Sequence, residues 1–108
     1  MALRGQLEGG FIFGLGQALM EELRVEDGRV TTTNLGDYKL PTIADAPPLR
    51  LVLLTDAPGP GPFGAKSVGE LANPGAGAAV ANAVAAASGA RVFSLPVTSE
   101  KVFRELHR

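Results

Sequence analysis

The chain contains no cysteine and no tryptophan, and a single histidine, His107, next to its C-terminus. Without cysteine there are no disulfides, no thiolate zinc sites and no iron–sulfur ligation by this chain. One histidine with no ligand partner at a useful spacing excludes a histidine-based metal cluster and a Ser–His–Asp arrangement. Aromatics are scarce at 6%. No apolar run approaches the ~18 residues of a transmembrane helix, and no charged segment followed by an apolar core reads as an export signal. Charge of one sign is also missing: 10 basic against 11 acidic residues give a net charge of −1 with no basic stripe. Nucleic acid is therefore not an expected partner, nor is a membrane surface. The expected location is cytoplasmic.

Glycine and proline are abundant instead, 14 and 8 of 108 residues. Alanine and valine supply much of the 45% hydrophobic content. They bury little area each, so the length allows one small domain with a thin core.

The spacing predicts a helix over residues 8–23, with Leu7, Phe11, Leu15, Leu19 and Leu23 four residues apart. Gly10, Gly14 and Ala18 form a second stripe of small residues at the same spacing, and Gly9 and Gly16 add flexibility. Four glycines inside a helix cost roughly 3–4 kcal/mol relative to alanine. Close packing of another helix, or approach of a ligand, would offset that. Glu26-Asp27-Gly28-Arg29 is a hairpin turn signal between β-prone residues. Residues 34–48 read as irregular, broken by Pro41, Pro47 and Pro48. Residues 49–55 and 91–95 read as strands, and 57–62 as a Pro/Gly loop. Asn73 and Pro74 signal a helix start, with the helix reaching Ala87 and Gly89 near its C-cap. A last helix runs from Thr98 or Ser99 to Leu106, with Val102, Phe103 and Leu106 facing inward. The expected fold class is α+β, a two-layer arrangement of about three helices against short strands.

Several motif candidates fail. Gly14-Leu15-Gly16-Gln17-Ala18-Leu19 begins like a dinucleotide fingerprint but has Leu19 at the third glycine and no preceding strand. Gly59-Pro60-Gly61-Pro62 and Lys66 lack the pattern of a phosphate loop. Asp37 and Asp45 read as turn residues. By elimination the best candidate for chemistry is Glu70, which ends the run Gly64-Ala65-Lys66-Ser67-Val68-Gly69-Glu70. A loop of small residues lets a bulky ligand approach the backbone. A glutamate there can act as a general base, or can serve the helix start at Asn73 and Pro74. Residue type alone leaves both roles open.

The run Gly64–Glu70 also resembles the active-site loop of the large, molybdopterin-binding subunit of the xanthine dehydrogenase and aldehyde oxidase (molybdenum hydroxylase) family. Gly5-Gln6-Leu7-Glu8-Gly9-Gly10, Asp37-Tyr38-Lys39-Leu40-Pro41-Thr42, Ala81-Asn82-Ala83 and Leu95-Pro96 resemble further family blocks, in family order, from about Gly5 to Leu106. The resemblance implies that residues 1–108 are a C-terminal fragment of a molybdopterin-binding domain. It implies Glu70 as the general base of substrate hydroxylation, with two electrons passing to molybdenum. Gln6 and the backbone of Lys66, Ser67 and Val68 would meet the molybdenum–molybdopterin cofactor, whose metal needs no side-chain ligand from this chain. Iron–sulfur clusters and FAD would sit on other subunits or domains. The implied partners are the remainder of the large subunit, electron-transfer subunits and a small-molecule substrate, and the isolated chain is expected to be inactive and prone to form homo-oligomers. Two other expectations are a non-catalytic, self-associating interaction module and a truncated remnant of the same domain.

Overall fold

The structure is a computed structural model that describes residues 1–54 and 56–108. Thr55, the last residue of the expected strand 49–55, lies outside the described residues.

Helix α1 covers Ala2–Leu19. It begins before the expected start because the four-residue apolar spacing continues backwards through Leu7 to Leu3, and Arg4 and Glu8 pair across one turn at 2.7 Å. It ends before Leu23 because the chain is pulled away: the N–H of Glu22 donates to the carbonyl of Tyr38 at 3.2 Å. A hairpin follows, with β1 (Val25–Glu26) antiparallel to β2 (Arg29–Val30) and Val25 opposite Val30. Asp27 and Gly28 both have positive φ, 49° and 75°, as the two-residue turn that matches strand twist requires.

Residues 34–48 hold two short capped turns rather than irregular chain alone. The four-residue helix α2 (Leu35–Tyr38) is capped by Asn34, whose side chain accepts from the N–H of Asp37. A 3-10 turn (Ile43–Asp45) is closed by Thr42 and Asp45 in a reciprocal capping box. Asp37 and Asp45 are thus turn residues, as expected.

Helix α3 covers Ala76–Ser88 and ends at Gly89, whose φ of 80° gives the left-handed C-cap. It starts after the expected Asn73–Pro74 signal, because residues 69–75 form turns first, and the N–H of Ala76 bonds the carbonyl of Asn73 at 3.1 Å. Helix α4 (Ser99–Leu106) is capped by the Thr98 hydroxyl, which accepts from the N–H of Lys101. Its Phe103 and Leu106 do not face inward; they are 61% and 50% exposed, and Phe103 stacks on His107 with ring centroids 4.1 Å apart. No other element among the described residues lies over that face to cover it. Residues 49–54 and 91–95 join no sheet, since no described strand lies beside either. The α+β class holds on four helices and one antiparallel pair among the described residues. Among them no helix is long and apolar enough to cross a membrane.

The packed centre is the seam between α1 and α3. Gly10, Gly14, Gly16 and Ala18 are the buried residues of α1. A Cβ at Gly10 would lie 3.0 Å from the Ala72 Cβ, and one at Gly14 would lie 2.8 Å from the Asn73 carbonyl oxygen as well as against the Ala76 side chain. The small stripe is therefore explained by packing against another part of the chain. The far end is tied by the N–H of Val97, which donates to the carbonyl of Ala18 at 2.6 Å and so satisfies a terminal acceptor of α1. The Lys101 ammonium then holds the carbonyls of Ser94, Leu95 and Pro96 at 2.9–3.3 Å.

This centre is small. Among the described residues the buried apolar side chains are Ala18, Ala76, Ala90, Pro96 and Val97. The accessible surface is 8153 Å², against about 5,700 Å² for a compact monomer of this mass. The radius of gyration is 16.9 Å, against about 13 Å for a compact domain of this length.

Candidate functional site

The loop carrying Glu70 is built in two halves. The first is braced on itself. The N–H of Gly59 donates to the carbonyl of Gly64 at 2.8 Å, that of Gly61 to Ala65 at 3.3 Å, and that of Gly64 back to Gly61 at 3.0 Å. Gly64 has φ 75°, and Phe63 beside it holds φ 57° with its ring fully exposed. The second half, Lys66 to Glu70, is open. The backbone N–H groups of Lys66, Ser67, Val68, Gly69 and Glu70 have no hydrogen-bond acceptor among the described residues.

Helix α1 lies beneath this open half. Gln6, Gly10 and Gly14 are four residues apart and so share one face. The same small face that meets Ala72 and Ala76 brings the Gln6 amide oxygen to 3.0 Å from where a Cβ of Gly69 would stand. Any side chain at 69 would displace Gln6 or the loop. Gln6 and the loop, far apart in the chain, are thus neighbours.

Lys66, Ser67 and Val68 also line one wall of a 480 Å³ cleft whose other walls include Leu7 of α1, Val52 and Leu54. Lys66 and Ser67 are exposed and Val68 half-buried. Glu70 stands apart from the cleft on the turn leading to α3, exposed, with no hydrogen bond or ion pair to the described residues. Its carboxylate does not cap α3, whose N-cap Gly75 has no side chain to offer and whose first turn carries no acid.

For a large anionic cofactor, this arrangement offers a run of unpaired N–H donors, a neutral amide at Gln6, and a glycine at 69 that leaves room for close approach. The residues present fit such a group on those grounds.

A second polar feature had no sequence signal. The Tyr38 hydroxyl donates to Glu21 Oε2 at 2.8 Å, and the negative carboxylate holds the phenol proton, raising the Tyr38 pKa. Glu21 Oε1 is buried beside Gly16 and Pro41 without a hydrogen-bond partner. Glu21 of the pair borders a mostly apolar 410 Å³ groove with Ile12, Phe13, Pro41 and Ile43. Seventeen residues separate the two partners, so no local spacing reveals them.

Residues 1–47 match the family model for a molybdopterin cofactor-binding domain. The match lies on α1, the hairpin and the capped turns, and the loop 64–70 falls beyond it. The chain is 43% identical over 107 residues to the 6-hydroxypseudooxynicotine dehydrogenase complex subunit gamma of Paenarthrobacter nicotinovorans, covering 95% of this chain and 14% of that protein. It is 42% identical over 106 residues to the aldehyde oxidoreductase molybdenum-binding subunit PaoC of Escherichia coli K12, with the same coverage. It is 37% identical over 105 residues to the xanthine dehydrogenase molybdenum-binding subunit of a second Escherichia coli strain, covering 95% of this chain and 14% of that protein. The chain thus spans about a seventh of the length of these relatives.

Proposed function

The chain belongs to the family of molybdenum-binding subunits of xanthine dehydrogenases and aldehyde oxidoreductases, and from that premise we propose that it is a component of a molybdenum hydroxylase that supplies the catalytic glutamate loop. In this reading residues 1–108 are a C-terminal fragment of a molybdopterin-binding domain, the assembly is cytoplasmic, and the chain is inactive alone. The observation that carries the reading is the meeting of Gln6 with Gly69 beside unpaired N–H groups.

The roles follow from the chemistry of each group. The N–H groups of Lys66, Ser67 and Val68, with the Gln6 amide, would hold the molybdenum–molybdopterin cofactor through hydrogen bonds to its anionic and heteroatom groups. When bound, that cofactor supplies a two-electron redox centre. Glu70 is the general base: its carboxylate takes the proton released as oxygen is transferred to an electron-poor carbon of a small-molecule substrate. In this reading iron–sulfur clusters and FAD, for onward electron transfer, would belong to other subunits or domains.

Inactivity of the isolated chain has a physical basis. Base catalysis needs a positioned carboxylate in a site that excludes bulk water, whereas Glu70 is exposed and unpartnered here. The rest of the subunit would provide the cover. Without it, the exposed apolar side chains favour self-association, and a homo-oligomeric interaction module is the second reading.

The test is Glu70→Gln in the assembled enzyme. Turnover is expected to fall by roughly 10²–10⁴-fold, the usual worth of a general base, with molybdenum content unchanged. A Gln variant with full turnover would remove Glu70 from the base role.

A further inference from the structure

Residues 49–54 read Leu-Arg-Leu-Val-Leu-Leu, a β-prone run with a single charge at Arg50. They lie in no helix, turn or ladder, and none of their backbone groups hydrogen-bonds to a described residue. Leu49 and Leu51 are half-buried, whereas Val52 and Leu54 are 72% and 86% exposed. Six residues thus present free donors and acceptors along both edges, together with bare apolar side chains. In water such a segment is an open template for strand pairing.

We propose that residues 49–54 form an internal strand of a β-sheet whose neighbouring strands belong to the remainder of the molybdenum-binding subunit. The proposal rests on the function proposed above and names how the two parts join. Three observations select this occupant over a second copy of the chain. First, in a strand Leu49, Leu51 and Leu53 share one face and Arg50, Val52 and Leu54 the other, so apart from Arg50 at its start the run is apolar on both sides. Such strands belong inside covered sheets, whereas pairing two copies edge to edge would leave a face wet. Second, the surface excess over a compact monomer is roughly 2,400 Å², the size of an obligate interface rather than a transient one. Third, the relatives are about seven times longer than this chain, so the family carries ample sequence to supply the neighbours.

The placement bears on the loop. Val52, Leu53 and Leu54 line the same cleft as Lys66, Ser67 and Val68. A sheet built around 49–54 therefore covers the approach to those N–H groups and removes water from them.

Hydrogen–deuterium exchange tests this on the chain alone and on the chain expressed with the longer molybdenum-binding chain of the same host. The expected result is fast exchange of the 49–54 amides in the chain alone and protection by 100-fold or more in the assembly. Val52→Pro removes a ladder donor and is expected to cut the yield of assembly at least tenfold while leaving the helix content of the free chain unchanged. The 49–54 segment makes no hydrogen bond to a described residue, so that variant is expected to fold; the exchange measurement on the unaltered chain stands independently of it. An assembly that forms while 49–54 exchange freely would overturn the strand and leave the proposed function standing. Failure of any molybdenum-binding chain to assemble would overturn both. Protection that grows with concentration of the chain alone would assign the strand to a second copy and overturn the proposal.

Discussion

Two regions of this molecule solve the burial problem differently. Along the seam of α1 and α3, glycine and alanine bring the backbone segments so close that no room remains for a side chain at Gly14. Over residues 49–54 large apolar side chains are bare, and over 49–54 and 66–70 the backbone donors have no acceptor among the described residues. The seam is complete with what the chain supplies. The other region has the composition of an interior and the surroundings of a surface. The contrast separates the part that is packed by the chain itself from the part that the proposed partner would cover, and the loop with Glu70 falls in the second.

The strongest way to break the contrast is to spoil the seam. Gly14→Val drives a branched side chain into Ala76 and the Asn73 carbonyl. We expect a loss of about 1–3 kcal/mol or more, which in so thin a core abolishes the cooperative melt followed by circular dichroism. The milder partner experiment is Gly9→Ala. A Cβ at Gly9 meets nothing within 4 Å, so only helix propensity and unfolded-chain entropy change. The same melt is expected to show a gain of about 0.5–1 kcal/mol. Opposite signs at two glycines on one helix would sharpen the assignment of the seam to one helix face; equal losses would contradict it.

The smallest effect concerns the capped turn between the two regions. The Thr42 hydroxyl and N–H both donate to the Asp45 carboxylate, at 2.7 and 2.8 Å, and hold its pKa below the usual aspartate value. A depressed folded-state pKa contributes stability above the unfolded pKa and loses it as pH falls through the folded one. Asp45→Asn is therefore expected to lower the urea midpoint slightly at neutral pH, with the difference fading as pH falls through the folded-state pKa of Asp45. A difference that persists in acid would show that the turn does not depend on the carboxylate charge.

Features set by local chemistry were legible in the sequence. The Asp27-Gly28 turn, the Thr98 cap and the Gly89 C-cap each depend on residues within a few positions. The small stripe on α1 announced a close approach, and its occupant is the 69–76 segment. What the sequence obscured depends on distant or missing neighbours. Residues 49–54 have strand chemistry but no strand beside them, and the Glu21–Tyr38 pair joins residues that no periodicity links. Phe103 and Leu106 kept their apolar pattern on a face that stays exposed among the described residues. At the candidate site, Glu70 and the loop were visible as a motif. Contact between Gln6 and Gly69 follows from Gln6 sharing the Gly10–Gly14 face, which the spacing contains but which becomes evident only once that face has a partner.

The central claim is that this chain completes a longer molybdenum-binding chain. The direct measurement is purification of the tagged chain from its own host, with the mass of any companion and the molybdenum content determined on the same sample. The account predicts a longer companion of the molybdenum-binding family and stoichiometric molybdenum. A folded chain that emerges alone and free of the metal would contradict it.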